Sequence, residues 1–136
     1  MSKVFVDTNI ILDLLAKREP FYKEAAELFS KADNGELELY TSAVSFANTY
    51  YILENYSSTQ KAKETLRKFK VLIQIISVDD KIIELALNDK GFKDFEDAVQ
   101  FYAAQSVKVE AILTRNKKDF KSSSIPVFTA KEYLAR

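Results

Sequence analysis

The stretch Lys3-Val4-Phe5-Val6-Asp7-Thr8-Asn9-Ile10-Ile11-Leu12 decides how the rest of this sequence is interpreted. Its apolar run, residues 4–6, is typical of a strand buried on both faces of a sheet, and a helical pattern follows directly. The predicted strand therefore ends at a carboxylate, Asp7. Because ligands of open α/β sheets bind just beyond the carboxyl ends of the strands, Asp7 is a candidate functional residue.

Asp7 also has a purely structural explanation. Asp, Thr and Asn are all good helix N-caps, and the apolar stripe of the capped helix would be Ile10, Ile11, Leu14 and Leu15. The local sequence is compatible with both roles of Asp7, a helix cap and a functional carboxylate. The remaining chain must decide between them.

Length and composition limit the function classes. The 136 residues predict one domain with a single core, and no apolar run approaches the ~20 residues that span a bilayer. The N-terminus lacks the pattern of a signal peptide, so we expect a cytoplasmic protein that does not associate with a membrane. Lys and Arg balance Asp and Glu at 20 each, so any binding of a polyanion must be local.

The absent residue types are equally informative. The sequence has no Cys and no His, which excludes disulfides, thiolate and imidazole catalysis, and Cys- or His-ligated metals. Carboxylates, amides, hydroxyls and amines remain for chemistry at neutral pH. Such oxygen-rich sites suit Mg²⁺ or Mn²⁺.

Strand and helix patterns alternate along the chain, and only two Gly and two Pro interrupt it. We predict strands over residues 4–6, 36–41, 71–78, 111–113 and 125–128, with 71–78 as an inner strand. After the first helix, the predicted helices start at Pro20, Ser42, Ser57 or Ser58, Asp79 or Asp80, Asp94, and Thr129. This alternation predicts a mainly parallel sheet covered on both faces, with every strand-to-helix junction on one edge.

Polar residues gather at that edge: Asp7, residues 42–48, the start of the Asp94 helix, and residues 114–116. Asp94 and Asp97 are three residues apart and lie on one helix face, with Glu96 turned away. Each has a structural alternative, because Asp94 would cap the helix and Asp97 would be a first-turn acid favoured by the helix dipole. These alternatives do not explain why the polar groups share one edge.

Three segments carry a resemblance to a known family. They are Asp7-Thr8-Asn9, Asp97-Ala98-Val99-Gln100-Phe101-Tyr102-Ala103-Ala104, and Thr114-Arg115-Asn116-Lys117-Lys118-Asp119-Phe120. In this order and spacing the sequence resembles PIN-domain proteins over nearly the whole chain. The resemblance implies a single domain over residues 1–136, folded as a three-layer α/β/α sandwich with a small mainly parallel sheet.

The resemblance also implies metal-dependent cleavage of RNA. Many bacterial members, of the VapC type, are toxins neutralised by a partner antitoxin, and related domains commonly form homodimers. Two positions depart from the family pattern, since Asn48 aligns with its usual Glu and Asn116 with its last Asp. An amide oxygen can ligate Mg²⁺ or orient a water but brings no charge, so we expect weaker metal binding than in a four-acid site.

The resulting hypothesis is an endoribonuclease that uses Mg²⁺ or Mn²⁺. Its catalytic set is Asp7, Asp94, Asp97, Asn48 and Asn116. Asp7 and Asp97 would be the main metal ligands, Asp94 a ligand or water-holder, and the two amides polar supports.

Four further residues would support this set. Asn9 and Thr114 would orient the carboxylates, with cap and turn hydrogen bonds as their structural alternative. Arg115 and Lys117 would hold RNA phosphates, and their alternative is a solvated charged surface.

Other functions compete with this hypothesis. A catalytically silent PIN-like module would bind RNA or a protein partner, with the two amides marking lost chemistry. A phosphatase of the haloacid-dehalogenase kind also places an Asp after its first strand, but it requires a second Asp where this chain has Asn9. A nucleotide-binding module lacks support because the sequence has no glycine-rich loop.

Overall fold

The computed structural model describes residues 1–136 as one parallel sheet between two layers of helices. The strands are Ser2–Val6 (β1), Leu37–Ser42 (β2), Gln74–Ile76 (β3), Ala111–Leu113 (β4) and Val127–Phe128 (β5). The helices are Thr8–Leu15 (α1), Tyr22–Asp33 (α2), Ala43–Tyr56 (α3), Thr59–Phe69 (α4), Asp80–Asn88 (α5), Phe95–Ser106 (α6) and Ala130–Leu134 (α7). The strand order is β3-β2-β1-β4-β5 and every pair is parallel. The predicted α/β sandwich is confirmed.

The central strand β1 divides the core in two. Val4 and Val6 pack into the layer that contains α1, α2 and α4, whereas Phe5 packs into the layer of α5 and α6. All three side chains are fully buried. Because successive side chains of a strand point to opposite faces, a short continuous apolar run supplies both halves of the core.

Capping side chains set most helix starts at the predicted residues. Ser42 accepts a hydrogen bond from the Ser45 amide, and Ser58, Asp79, Asp94 and Thr129 each accept one from the amide three residues on. An N-cap oxygen satisfies an amide that has no partner inside the helix, which is why these polar residues mark the boundaries. The second helix begins at Tyr22 rather than at Pro20.

The prediction that residues 71–78 form an inner strand is wrong. Residues Lys70–Leu72 form a 3-10 turn and leave Val71 85% exposed, so only Gln74–Ile76 pairs, and it pairs on one side with β2. At the other edge of the sheet β5 has two residues and follows Pro126, which has no amide hydrogen to donate. Both edge strands are therefore very short.

The parallel arrangement positions the polar junctions as predicted. Asp7 follows β1, Ala43 begins the helix after β2, and Thr114 follows β4, all at the carboxyl edge of the sheet. None of the helices has both the length and the apolar character needed to cross a membrane.

Candidate active site

Asp7 lies at the carboxyl end of the central strand and is also the N-cap of α1. Its Oδ1 accepts a hydrogen bond from the Thr8 amide at 2.8 Å, and its Oδ2 accepts one from the Thr114 hydroxyl at 2.8 Å. The Asp7 amide donates to the Leu113 carbonyl at 3.0 Å, which continues the pairing of β1 with β4. One oxygen therefore caps its own helix, while the other binds a residue 107 positions away.

Thr114 is the centre of the contacts around Asp7. Its buried hydroxyl donates a hydrogen bond to Asp7 and accepts hydrogen bonds from the Asn9 side-chain amide at 3.3 Å and from the Asn116 backbone amide at 3.1 Å. Asn9 in turn accepts a hydrogen bond from the Arg115 amide at 3.3 Å. Asn9 and Thr114 thus fix the orientation of the Asp7 carboxylate through direct and relayed hydrogen bonds.

Asp94 and Asp97 lie at the start of α6. Asp94 caps the helix by accepting a hydrogen bond from the Asp97 amide at 3.1 Å, so its predicted structural alternative is realised. The preceding loop is held by Asp89, which accepts hydrogen bonds from the Gly91 amide at 2.7 Å and the Tyr102 hydroxyl at 2.6 Å. These contacts fix the direction in which α6 begins.

A polar cavity of about 260 Å³ opens beside this helix start. Three acids and three lysines line it, and no apolar side chain contributes; the charged lining residues are Lys93, Asp94, Asp97, Lys118, Asp119 and Lys121. Ser122 donates a hydrogen bond to the Gly91 carbonyl at 2.9 Å and joins the two segments that form the walls. None of the four ion pairs in the chain involves these lysines or acids, so the acids here have no cationic partner in direct contact.

The acids in this region perturb one another. Burial, and then the negative charges of Asp94, Asp7, Asp119 and Glu96, raise the pKa of Asp97 to about 7. Burial also raises the pKa of Asp7 above its ordinary value, and the charge of Asp119 adds to this, whereas the hydrogen bonds from Thr114 and Thr8 oppose it. Asp7 does not line the cavity, but it interacts electrostatically with both Asp97 and Asp119.

Asp119 is the acid that the sequence analysis missed. It lies in the 3-10 turn Lys117–Phe120, three residues beyond Asn116, and lines the cavity with Asp94 and Asp97. Asn116 instead lines a different cavity and is exposed. The available signal was an acid shortly after β4, on the segment that leaves the carboxyl edge of the sheet.

Asn48 contacts Glu96 instead of the aspartates. Its side-chain amide donates a hydrogen bond to the Glu96 carboxylate at 2.6 Å and so joins α3 to the first turn of α6. Glu96 is turned from the Asp94 face as the helix geometry predicts, yet its charge raises the pKa of Asp97. No pattern in the sequence indicated this contact between the two helices.

The two predicted phosphate-binding residues both have carboxylate partners within the chain. Arg115 forms a two-bonded ion pair with Asp13, from Nε at 2.9 Å and from Nη2 at 3.1 Å, and Lys117 pairs with Glu132 at 2.9 Å. Arg18 binds the same Asp13 at 3.0 Å. Asp13 is 1% exposed, and it is the one charged residue of α1, set among Ile and Leu, which was the signal for this triad.

The donors of the acidic cluster fit a hard divalent cation in type. They are carboxylate oxygens, and the raised pKa values of Asp7 and Asp97 reflect burial and repulsion between acids that a cation would relieve. As arranged here, no three acidic side chains stand close enough to hold a metal ion together.

Comparison with known proteins gives a consistent result. The family described as PIN domain matches residues 3–118. Ribonuclease VapC1 from Aquifex aeolicus (strain VF5) is 32% identical over 139 residues, which cover 99% of this chain and 95% of that protein.

Two solved structures are similar throughout. A chain of a toxin–antitoxin complex from Klebsiella pneumoniae superposes with a TM-score of 0.66 and 26% identity, covering 93% of this chain and 97% of that chain. A chain of VapBC2 from Rickettsia felis, bound to a DNA fragment from its promoter, gives a TM-score of 0.68 with 20% identity, covering 93% and 96%. At 20% identity, the similarity to the Rickettsia felis chain supports the fold alone.

The raised pKa of Asp97 predicts how stability depends on pH in the metal-free protein. In the folded state the Asp97 carboxyl titrates near pH 7, whereas in the unfolded chain it titrates near pH 4. Between these values the folded protein binds more protons, so the free energy of unfolding falls as pH rises from about 4 to about 7. We expect Asp97→Asn to make this fall smaller.

Urea unfolding with chelator between pH 4.5 and 8 measures the effect. Asp33→Asn, which removes a carboxylate at the exposed end of α2, is the control and should keep the parent profile. An Asp97→Asn profile with the same slope as the parent would contradict the assignment.

The buried triad predicts a large effect from one substitution. Asp13→Asn removes the counter-charge of both Arg18 and Arg115, and we expect the free energy of unfolding to fall by about 3 kcal/mol. The matched control is Glu36→Gln, which breaks the exposed pair with Lys31 and should cost no more than about 1 kcal/mol. Equal losses in urea unfolding would show that the triad is not a buried interaction.

Proposed function

This chain belongs to the PIN-domain family, and on that basis we propose that it is a metal-dependent endoribonuclease and the toxin of a toxin–antitoxin pair. Similarity along 99% of the chain to a protein named as a ribonuclease supports the activity. Similarity to a chain from a toxin–antitoxin complex supports the biological role.

One observation carries the proposal. Asp7 and Asp97, 90 positions apart, both have raised pKa values, and the charge of Asp7 contributes to the raised pKa of Asp97. Neither has a cationic side chain within ion-pair distance. A fold that brings acids together without ion pairs to them loses stability, which is the expected cost of a cation site.

We assign the cation to Asp7 and Asp97 as the main ligands, with Asp94 as a ligand or water-holder. Asp119 joins them because its charge reaches both main ligands. Asn48 would act as a polar support through its hydrogen bond to Glu96, and Asn116 through the hydrogen bond from its backbone amide to Thr114. A bound Mg²⁺ or Mn²⁺ would polarise a phosphoryl oxygen and lower the pKa of a water for attack on the phosphodiester.

The chain's own residues prepare this site. Thr114 and Thr8 hold both oxygens of Asp7, and Asn9 holds Thr114. Asp97 keeps a proton below about pH 7, and this proton must leave before the carboxylate binds a cation. Lys93, Lys118 and Lys121 lie around the acidic cavity and can bind the phosphates of the RNA there.

The partners follow from the same reasoning. We place this enzyme in the cytoplasm, and as the toxin of a pair its activity there would be neutralised by an antitoxin. We also propose a homodimer, because α3 exposes three large side chains: Tyr51, Ile52 and Tyr56. Their exposed fractions of 63%, 37% and 59% leave an apolar surface that a second copy would cover.

Removal of the main ligands tests the proposal. Asp7→Asn and Asp97→Asn should each lower Mn²⁺-dependent RNA cleavage by at least about 100-fold, because each removes a charged cation ligand. A panel of single-stranded and structured RNAs, incubated with Mn²⁺, Mg²⁺ or chelator, provides the measurement, with Asp33→Asn as the control. Unchanged cleavage by both variants would overturn the assignment, and a parent protein without saturable Mn²⁺ binding would favour the silent module.

Asp119 permits a separate test that does not depend on cleavage. We expect Asp119→Asn to weaken Mn²⁺ binding about tenfold in calorimetry, since it removes one negative charge that acts on both Asp7 and Asp97. Asp80→Asn, in the first turn of α5, is a matched control and should leave the affinity unchanged. Equal Mn²⁺ affinity of Asp119→Asn and the parent would place Asp119 outside the site.

A further inference from the structure

A second cavity, of about 400 Å³, lies on the other side of the segment that follows β4. Its walls come from α1, the start of α2, residues 115–116 and the start of α7. The volume lies within the range of about 300–1,000 Å³ that is usual for small-molecule sites. The proposed cation site does not include this cavity.

The Arg115 guanidinium is held in a fixed position in the lining of the cavity. Arg115 is held by two hydrogen bonds to buried Asp13, and its guanidinium carbon lies 3.9 Å from the centre of the Phe21 ring. Phe21 is nevertheless 39% exposed, although large aromatic side chains are usually more buried. The protein therefore presents an aromatic ring and a stacked guanidinium at its surface in a fixed arrangement.

The charges around the cavity favour a neutral ligand. Arg115 and Lys131 are positive, whereas Asp13 and Glu24 are negative, so the lining carries no net charge. A phosphate would meet the Glu24 carboxylate here, and the charge of Arg115 is already paired with that of Asp13. A planar, uncharged group with hydrogen-bonding edges fits this lining, because it can stack on the ring or guanidinium and bind polar groups at its edge.

The cavity is joined to the proposed catalytic residues through one short segment. Asn116 lines the cavity, and its amide donates to the Thr114 hydroxyl, which donates to Asp7. The ligand of the cavity would therefore lie close to the phosphodiester acted upon at Asp7.

We propose that this cavity binds an unpaired nucleobase of the RNA strand, next to the phosphodiester that is cut, by stacking against Phe21 and Arg115. The proposal rests on the proposed ribonuclease function and names the part of the substrate that the enzyme recognises. Arg115 then contacts a base instead of a phosphate. A base flipped out of a duplex or present in a loop can enter such a cavity, whereas a paired base cannot.

The absence of tryptophan from the chain makes a direct test possible. Phe21→Trp places the only indole of the chain in the cavity wall, and Val71→Trp places it on an exposed turn outside the cavity as the matched control; excitation selective for indole avoids the tyrosines. Both proteins are titrated in chelator, where no metal-dependent cleavage occurs, with a ten-nucleotide single-stranded RNA and with an abasic oligomer of the same backbone and length. We expect the RNA, and not the abasic oligomer, to quench the indole fluorescence of Phe21→Trp saturably, and neither oligomer to quench that of Val71→Trp.

A second pair of variants tests stacking without a new fluorophore. Phe21→Leu keeps an apolar side chain but removes the ring face, and it should weaken binding of the same RNA about tenfold in chelator. Its Mn²⁺ affinity should equal that of the parent, because Phe21 is not part of the cation site. Leu87→Ala, at an exposed apolar residue of α5, should change neither quantity.

The outcomes separate this proposal from the ribonuclease assignment. Equal quenching of the Phe21→Trp variant by the RNA and the abasic oligomer would overturn the base site. Absence of quenching by either oligomer would also overturn it, and a protein segment would then be the alternative occupant of the cavity. Quenching of this variant by the RNA alone, without any metal-dependent cleavage, would support the base site and contradict the proposed activity. An RNA affinity of Phe21→Leu equal to that of the parent would also overturn the base site.

Discussion

The pairing of β1 with β4 is the constraint on which the rest of the molecule depends. Val6 and Leu113 are partners in a parallel register, so the chain leaves both strands at the same level and Asp7 meets Thr114 directly. An antiparallel partner would have sent the chain toward the opposite edge. The backbone hydrogen bonds of two short buried strands thus hold together residues from the two ends of the sequence.

Two acids of the first helix, its cap Asp7 and its inner residue Asp13, show how differently this fold treats buried carboxylates. Asp13 has two guanidinium partners, which is the usual condition for a charge in a protein interior. Asp7 has hydrogen bonds but no cationic partner, and the charge of Asp119 adds repulsion. The first arrangement stabilises the fold, whereas the second makes the edge of the sheet ready to accept positive charge.

The sequence predicted those features that depend on local chemistry. The run at residues 4–6, the caps at Ser42 and Asp94, and strand 111–113 follow from side-chain burial and from the need to satisfy helix amides. The prediction of an inner strand over residues 71–78 was wrong because an Ile- and Val-rich composition does not reveal how many residues leave the sheet for a turn.

The site was harder to predict than the fold. Convergence of Asp7, Thr114 and Asn9 followed from topology, since parallel strands end at one edge. Asp119 and the partners of Arg115 depended on which way long side chains turn, and that is settled by packing between segments far apart in the chain.

The short edges of the sheet limit how this protein can associate with other chains. β3 offers three residues and β5 only two, and Pro126 precedes the latter. The edges therefore offer too little unpaired backbone for a strand of another chain to add to the sheet. Edge-to-edge association into fibrils is disfavoured for the same reason. Stable association must rely on side chains presented by helices, where sequence can distinguish a cognate chain from a foreign one.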